Sequence, residues 1–247
     1  MSRDIYFNGP AGIIEAKVST AAGDGNKPAV LILHPDPLQE GSMHSKVVYT
    51  MYQAFKTTGF NVMRMNFRGV GRSQGSLQDF AKNPEQAGIA DAAAGLDWLH
   101  NEFPLTTQYW VAGFSFGSWI AMHLLMRRPE IEGFIAVAPP ASHRNFDFLS
   151  PCPVSGLFIQ PEKDNIAKLE HTNRMIKNLD YGEADVDYKV ILNADHFFQD
   201  PQDSSKHHLG ELYENIRDYI NVCLATHISK PIRKKRRRRK KRELEDE

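Results

Sequence analysis

Gly113-Phe114-Ser115-Phe116-Gly117 sets a serine between two glycines at the point where the residue pattern changes its period. Before it, Gln108-Tyr109-Trp110-Val111-Ala112 is aromatic and β-branched, as in a buried strand. After it, Ser118-Trp119-Ile120-Ala121-Met122-His123-Leu124-Leu125-Met126 suits a buried helix. A strand, a tight turn at Ser115 and a helix place the Ser115 hydroxyl at a sheet edge, with the N–H groups of the new helix aimed at the same point. The two glycines are read here as what lets the backbone turn.

Working outward, the same alternation recurs. Ala29–Leu33 is a continuous apolar run, as in a strand covered on both faces of a parallel sheet. Ser45–Thr58 has helical spacing, Phe60–Asn66 reads as strand, Pro84–Glu102 as helix and Ser115–Arg128 as helix. Phe134–Ala138 and Val154–Ile159 are further strands, Ile166–Leu179 helix, Asp187–Leu192 strand and Leu209–Thr226 a closing amphipathic helix. Ile5–Asn8 and Gly12–Ser19, joined at Gly9-Pro10, form an antiparallel start. The expected fold class is therefore α/β: a mostly parallel central sheet with helices on both faces.

At 247 residues and 41% hydrophobic content the chain suffices for one large domain, expected over 1–229. The first residues lack the apolar core of a signal peptide and no run is long enough to cross a bilayer, so a cytoplasmic protein is expected. The two cysteines, Cys152 and Cys223, are too few for a disulfide framework and read as buried, inert thiols. Zero net charge hides an asymmetry: residues 230–247 carry eleven Lys or Arg and four Asp or Glu, a net of +7, which leaves −7 on residues 1–229. That run reads as a disordered basic tail, solvated or binding nucleic acid or an anionic surface weakly and in a salt-dependent way. The oligomeric state is not legible, and no cofactor or metal motif is present.

A serine hydroxyl needs a base to take its proton and a third group to orient that base. His196, in Asp195-His196-Phe197-Phe198 after the last expected strand, is better placed than the other nine histidines. For the carboxylate, the loop Gln160-Pro161-Glu162-Lys163-Asp164 offers Glu162 and Asp164; Asp164, leading into the next helix, is preferred, and Asp147 is a weaker alternative. Asp195 is too close in sequence to His196 to reach around to its Nδ1. An oxyanion needs backbone N–H groups held ready. Phe116 supplies one, and in His34-Pro35-Asp36-Pro37 only Asp36 has an N–H left to donate, although its acidic side chain is out of place beside an oxyanion. Arg68, Gly69 and Gly71 read as a bracing loop, since they lack a P-loop's full fingerprint, and Asp91 reads as a polar position on an amphipathic helix.

Five ordered segments, His34–Leu38, Asn66–Ser73, Gly113–Gly117, Ala138–Pro140 and Ala194–Phe198, resemble those of small, lid-poor bacterial members of the α/β-hydrolase superfamily, of dienelactone-hydrolase and esterase type. The resemblance implies an α/β-hydrolase fold without a sizeable lid, with Ser115 as nucleophile, Asp164 as acid and His196 as base. It further implies hydrolysis of ester, thioester or related acyl bonds in small-molecule substrates. The chain departs from it at the acid loop, where relatives show Gly-Asp-x-Asp. With only a short connection between Pro140 and Pro153, the site is expected to be open, with Met43, Phe146, Phe148, Phe197 and Phe198 as candidate apolar walls. A competing reading is a non-catalytic scaffold tethered by its basic tail.

Overall fold

Every strand at the centre of the molecule is apolar on both sides, and the structure uses both. The protein is described here from a computed structural model covering residues 2–23 and 26–229, so the basic run 230–247 and the tail reading attached to it lie outside the described residues. Strands β1 (Ser2–Gly9), β2 (Gly12–Ser19), β3 (Ala29–Leu33), β4 (Asn61–Met65), β5 (Tyr109–Phe114), β6 (Ile131–Val137), β7 (Gly156–Pro161) and β8 (Val186–Ile191) form one sheet in the order β1-β2-β4-β3-β5-β6-β7-β8. The first two join antiparallel, and the six from β4 to β8 are parallel.

In β3, Leu31 and Leu33 pack on one face of the sheet and Val30 and Ile32 on the other. The first face is covered by α3 (Pro84–Glu102) and α4 (Phe116–Leu125), the second by α1 (Lys46–Thr57) and α6 (Leu209–Ser229). Each such side chain taken fully out of water contributes about 1.5–3 kcal/mol, so the period of two specifies both layers at once. All ten residues of α4 are buried, which seats it against the middle of the sheet.

Register brings the reactive ends level. Leu33 pairs with Gly113, Phe114 with Val137, Val137 with Ile159 and Pro161 with Ile191, so the loops that follow β3, β5, β6, β7 and β8 all leave the same edge. Those loops carry every residue singled out above as reactive.

Several elements differ from expectation. β5 runs on to Phe114, directly against Ser115, and α4 ends at Leu125. Helix α2 (Leu77–Lys82) and the hairpin β9 (Gln199–Asp200) and β10 (Asp203–His207) were not expected; α2 buries only Phe80, and the hairpin is largely exposed, so neither has an apolar period to read. Helix α5 starts at Leu169 and ends at Asn178. Between Pro140 and Pro153 only a 3-10 turn, Asp147–Leu149, is formed, and no lid is inserted there. Cys152 is buried, Cys223 on α6 is half-buried, and burial pushes both thiols up from their ordinary value. No helix among the described residues is long and apolar enough to cross a membrane.

Candidate active site

Ser115 is the N-cap of α4 and stands at φ 53°, ψ −121°, a conformation that an L-residue adopts only under constraint, at a cost of about 1–3 kcal/mol. Three contacts supply the constraint. The Ser115 N–H donates to Val137 O at 2.8 Å, the Ser118 N–H donates to Ser115 O at 2.9 Å, and Ser118 Oγ–H donates to the same oxygen at 2.6 Å. The Ser115 hydroxyl makes no capping bond. The glycines act differently from the expectation: the positive φ falls on the serine. A Cβ on Gly113 would collide with the backbone of Gly117, and one on Gly117 with the carbonyls of Leu33 and His34. They are there for close approach of α4 to β5 and β3.

His196 and Asp164 come from the loops after β8 and β7, thirty-two residues apart in sequence, and meet with Nδ1 and Oδ2 at 2.7 Å. The other carboxylate oxygen, Oδ1, accepts the N–H groups of Ile166 (2.8 Å) and Ala167 (2.7 Å). Asp164 is thus held by its own loop with one oxygen left for the imidazole. Glu162 takes another part: its Oε2 accepts the Asn193 N–H at 3.0 Å, which together with Glu162 N–H to Ile191 O and Lys163 N–H to Ala194 O ties the two loops. That backbone bond holds the Glu162 carboxyl below its ordinary value. Asp195 caps the turn, accepting from Phe197 and Gln199 N–H, and Asp147 is exposed.

Gln160 was not singled out by sequence, and it is fully buried behind Asp164. Its Nε2 donates to Ala167 O at 2.6 Å and Pro161 O at 3.1 Å and approaches Asp164 Oδ2 at 3.5 Å; its Oε1 accepts the Thr172 hydroxyl of α5 at 3.0 Å. These bonds connect the altered acid loop to the body of the fold. The one signal in the sequence was a glutamine ending an otherwise apolar strand.

Ser115 and His196 open into one cavity of about 690 Å³, shared with Phe116, Asp36, Arg144 and Phe197. The Asp36 carboxylate, which the sequence left unexplained beside an oxyanion, accepts the Leu38 N–H at 2.9 Å and caps the 3-10 turn Pro37–Gln39. Its charge is engaged in its own turn. His34 locks that loop from beneath: the Phe67 N–H donates to Nε2 at 3.1 Å, so the proton sits on Nδ1 and is donated to Pro35 O at 2.6 Å. Burial drives the His34 imidazole down to about 3, which keeps it neutral.

Of the five candidate apolar walls only Phe197 lines this cavity. Met43, Phe146 and Phe198 are buried, and Phe148 stacks on His123 with ring centroids 3.7 Å apart; each found a better partner in the core. Asp91, given no role above, is fully buried and pairs with Arg68: Nη2 to Oδ1 is 2.7 Å, and the Arg68 backbone N–H reaches Oδ2 at 2.9 Å. This buried pair is what braces the loop after β4. Among the described residues no group of three or more His, Cys, Asp or Glu converges as a metal site.

The geometry has relatives. A family model described as serine aminopeptidase, S33, matches residues 38–160. An uncharacterized protein of Rickettsia prowazekii is 41% identical over 221 residues, 87% of either chain. A solved structure from Agrobacterium tumefaciens, a protein of unknown function described as a candidate α/β hydrolase, superimposes with TM-score 0.82 at 37% identity, covering 91% of this chain and 97% of that one. An α/β serine hydrolase without a lid from Xanthomonas campestris gives TM-score 0.75 at 26% identity over 90% and 94%. The chain belongs to the α/β-hydrolase superfamily, a superfamily of hydrolases, and to its members that have no lid.

Proposed function

We propose that this protein is a serine hydrolase of carboxylic ester or thioester bonds, working through Ser115, His196 and Asp164. The observation that carries the reading is the 2.7 Å bond between His196 Nδ1 and Asp164 Oδ2 beside a serine held in the elbow conformation, with Ser115 and His196 facing one cavity. The carboxylate holds the proton on Nδ1, which leaves Nε2 as the base. Ser115 Oγ attacks the carbonyl carbon while its proton passes to His196 Nε2. The carbonyl oxygen becomes an oxyanion, received by the N–H groups of Phe116, at the positive end of α4, and of Asp36. As the carbon–oxygen or carbon–sulfur bond breaks, His196 returns the proton to the leaving group. Water then repeats the sequence on the acyl-enzyme and restores Ser115.

The test is covalent labelling with a fluorophosphonate probe, followed by a panel of chromogenic esters and one aminoacyl anilide. Labelling of Ser115 and ester turnover are expected, with turnover lower by a factor of about 10³ or more in Ser115→Ala. A folded protein that takes no label, or that labels equally as Ser115→Ala, belongs to the scaffold reading instead. Preferential turnover of the anilide would replace the ester reading with a peptidase one.

A further inference from the structure

The loops after β3 and β6 lie on either side of Ser115, because β3 and β6 flank β5 in the sheet. They bring opposite charge to the cavity. The β3 side contributes Asp36, Glu40 and Lys46, which leaves it net negative, and the β6 side contributes His143 and Arg144. His143 is exposed, and partial desolvation first and the Arg144 charge second hold its imidazole below the ordinary value, so Arg144 is the permanent charge of the β6 side.

Among the described residues two arginines lie over aromatic rings with no carboxylate partner, Arg64 over Tyr49 and Tyr52 and Arg144 in the cavity wall, and of these Arg64 donates Nη1–H to Met43 O at 2.8 Å. Arg68 is paired with Asp91, and Arg128 with Asp97 and Glu130. Arg144 is half-buried, and among the described residues no carboxylate lies within ion-pair distance of it. Its guanidinium lies 4.6 Å from the Trp119 ring centroid and 5.9 Å from that of Phe116, the residue after the nucleophile. The platform is fixed: the Trp119 indole N–H donates to Asn145 O at 3.0 Å, and the N–H groups of His143 and Arg144 both donate to Pro140 O. A guanidinium held over an aromatic ring with no carboxylate partner has N–H donors left for a carboxylate, and a preset position lowers the entropy lost when that anion binds.

We propose that the substrate carries a single carboxylate, which Arg144 binds on the β6 side of Ser115, so that the preferred esters are half-esters or esters of carboxylate-bearing alcohols. This rests on the hydrolase reading of the same site and adds its substrate class. Asp36 and Glu40 on the other side, offset only in part by Lys46, disfavour a second anion or a phosphate dianion there. The α4 N-terminus lies on the same platform and reinforces attraction of the one charge.

The experiment uses two matched ester pairs on the full chain: monoethyl adipate against its terminal amide, and 4-acetoxybenzoate against 4-acetoxybenzamide. In at least one pair the kcat/KM ratio of anion to neutral should exceed about tenfold, fall to near unity in Arg144→Gln and recover in part in Arg144→Lys. In parallel, calorimetry follows monoethyl adipate binding to Ser115→Ala and to Ser115→Ala/Arg144→Gln, where only the first should bind. A ratio at or below unity in both pairs, a ratio unmoved by Arg144→Gln, or equal binding to the two serine-less chains overturns the carboxylate subsite while leaving neutral-ester turnover to stand for the hydrolase. Absence of all turnover with Arg144-dependent binding intact does the reverse.

Discussion

The two halves of the site are held by different forces. The Ser115 half, the nucleophile of the proposed reaction, is a matter of backbone: Ser115 is forced to φ 53° by hydrogen bonds to Val137 and Ser118, and glycines at 113 and 117 let main chain touch main chain. The His196–Asp164 half, the proposed base and acid, is a matter of side chains: Asp164, His196, Gln160 and Thr172 come from two loops, a strand end and a helix, and are joined by hydrogen bonds. A backbone-held element resists distortion but tolerates no added atom, whereas a side-chain network tolerates replacement and loses accuracy by degrees.

The comparison can be broken most severely at Gly117. Gly117→Ala puts a methyl group against the carbonyls of Leu33 and His34, neither of which can move without moving β3. We expect a stability loss of about 3 kcal/mol, at the upper end for overpacking, by denaturant unfolding, with the proposed ester turnover falling along with the fold. A Gly117→Ala chain with an unchanged denaturation midpoint would show that α4 is not packed on β3 as described.

The Asp164 half is probed more gently at Thr172. Thr172→Val keeps the shape and removes the hydroxyl that donates to Gln160 Oε1, at a stability loss of about 1–2 kcal/mol. Because Gln160 holds the loop that carries Asp164, kcat should fall about tenfold with less change in KM, and Thr172→Ser should restore it. If stability drops while kcat stays put, Gln160 supports the fold and does not position Asp164.

An effect confined to acid pH, and absent near neutrality, concerns His34, under the Ser115 half. Its imidazole titrates at about 3 in the folded chain and near 6.5 when unfolded. Between those values the unfolded state takes up a proton that the folded state refuses, so stability falls as pH drops from about 6.5 towards 3 and gains nothing further from this group above 6.5. Urea midpoints at several pH values in that window should decline less steeply in His34→Gln than in the natural chain. A residual slope is expected from His123, which burial lowers to about 4. Equal slopes would show that His34 is not kept neutral by its burial.

The same difference governs what could be read in advance. The elbow was legible because strand, turn and helix are contiguous, and Pro84–Glu102 was bounded correctly because proline starts it and its apolar spacing runs to its end. Helix α2 was missed because six residues with one buried side chain, Phe80, show no period. Buried polar residues were the poorest readings: Asp91 was read as a polar position on an amphipathic helix with no role, yet it is the buried partner of Arg68. A carboxylate on a helix looks the same in sequence whether it faces water or an arginine.

What the chain order alone determined is the class of fold and the rank of candidates, since period-two and helical patterns act locally and Ser115 carries its strand and helix beside it. Tertiary structure alone decided which carboxylate meets His196, how the acidic side chain of Asp36 is engaged, why Gly113 and Gly117 are glycine, and which aromatic faces the cavity. Each of these depends on atoms distant in sequence coming within hydrogen-bond or contact range. That distance is set by how the whole sheet packs.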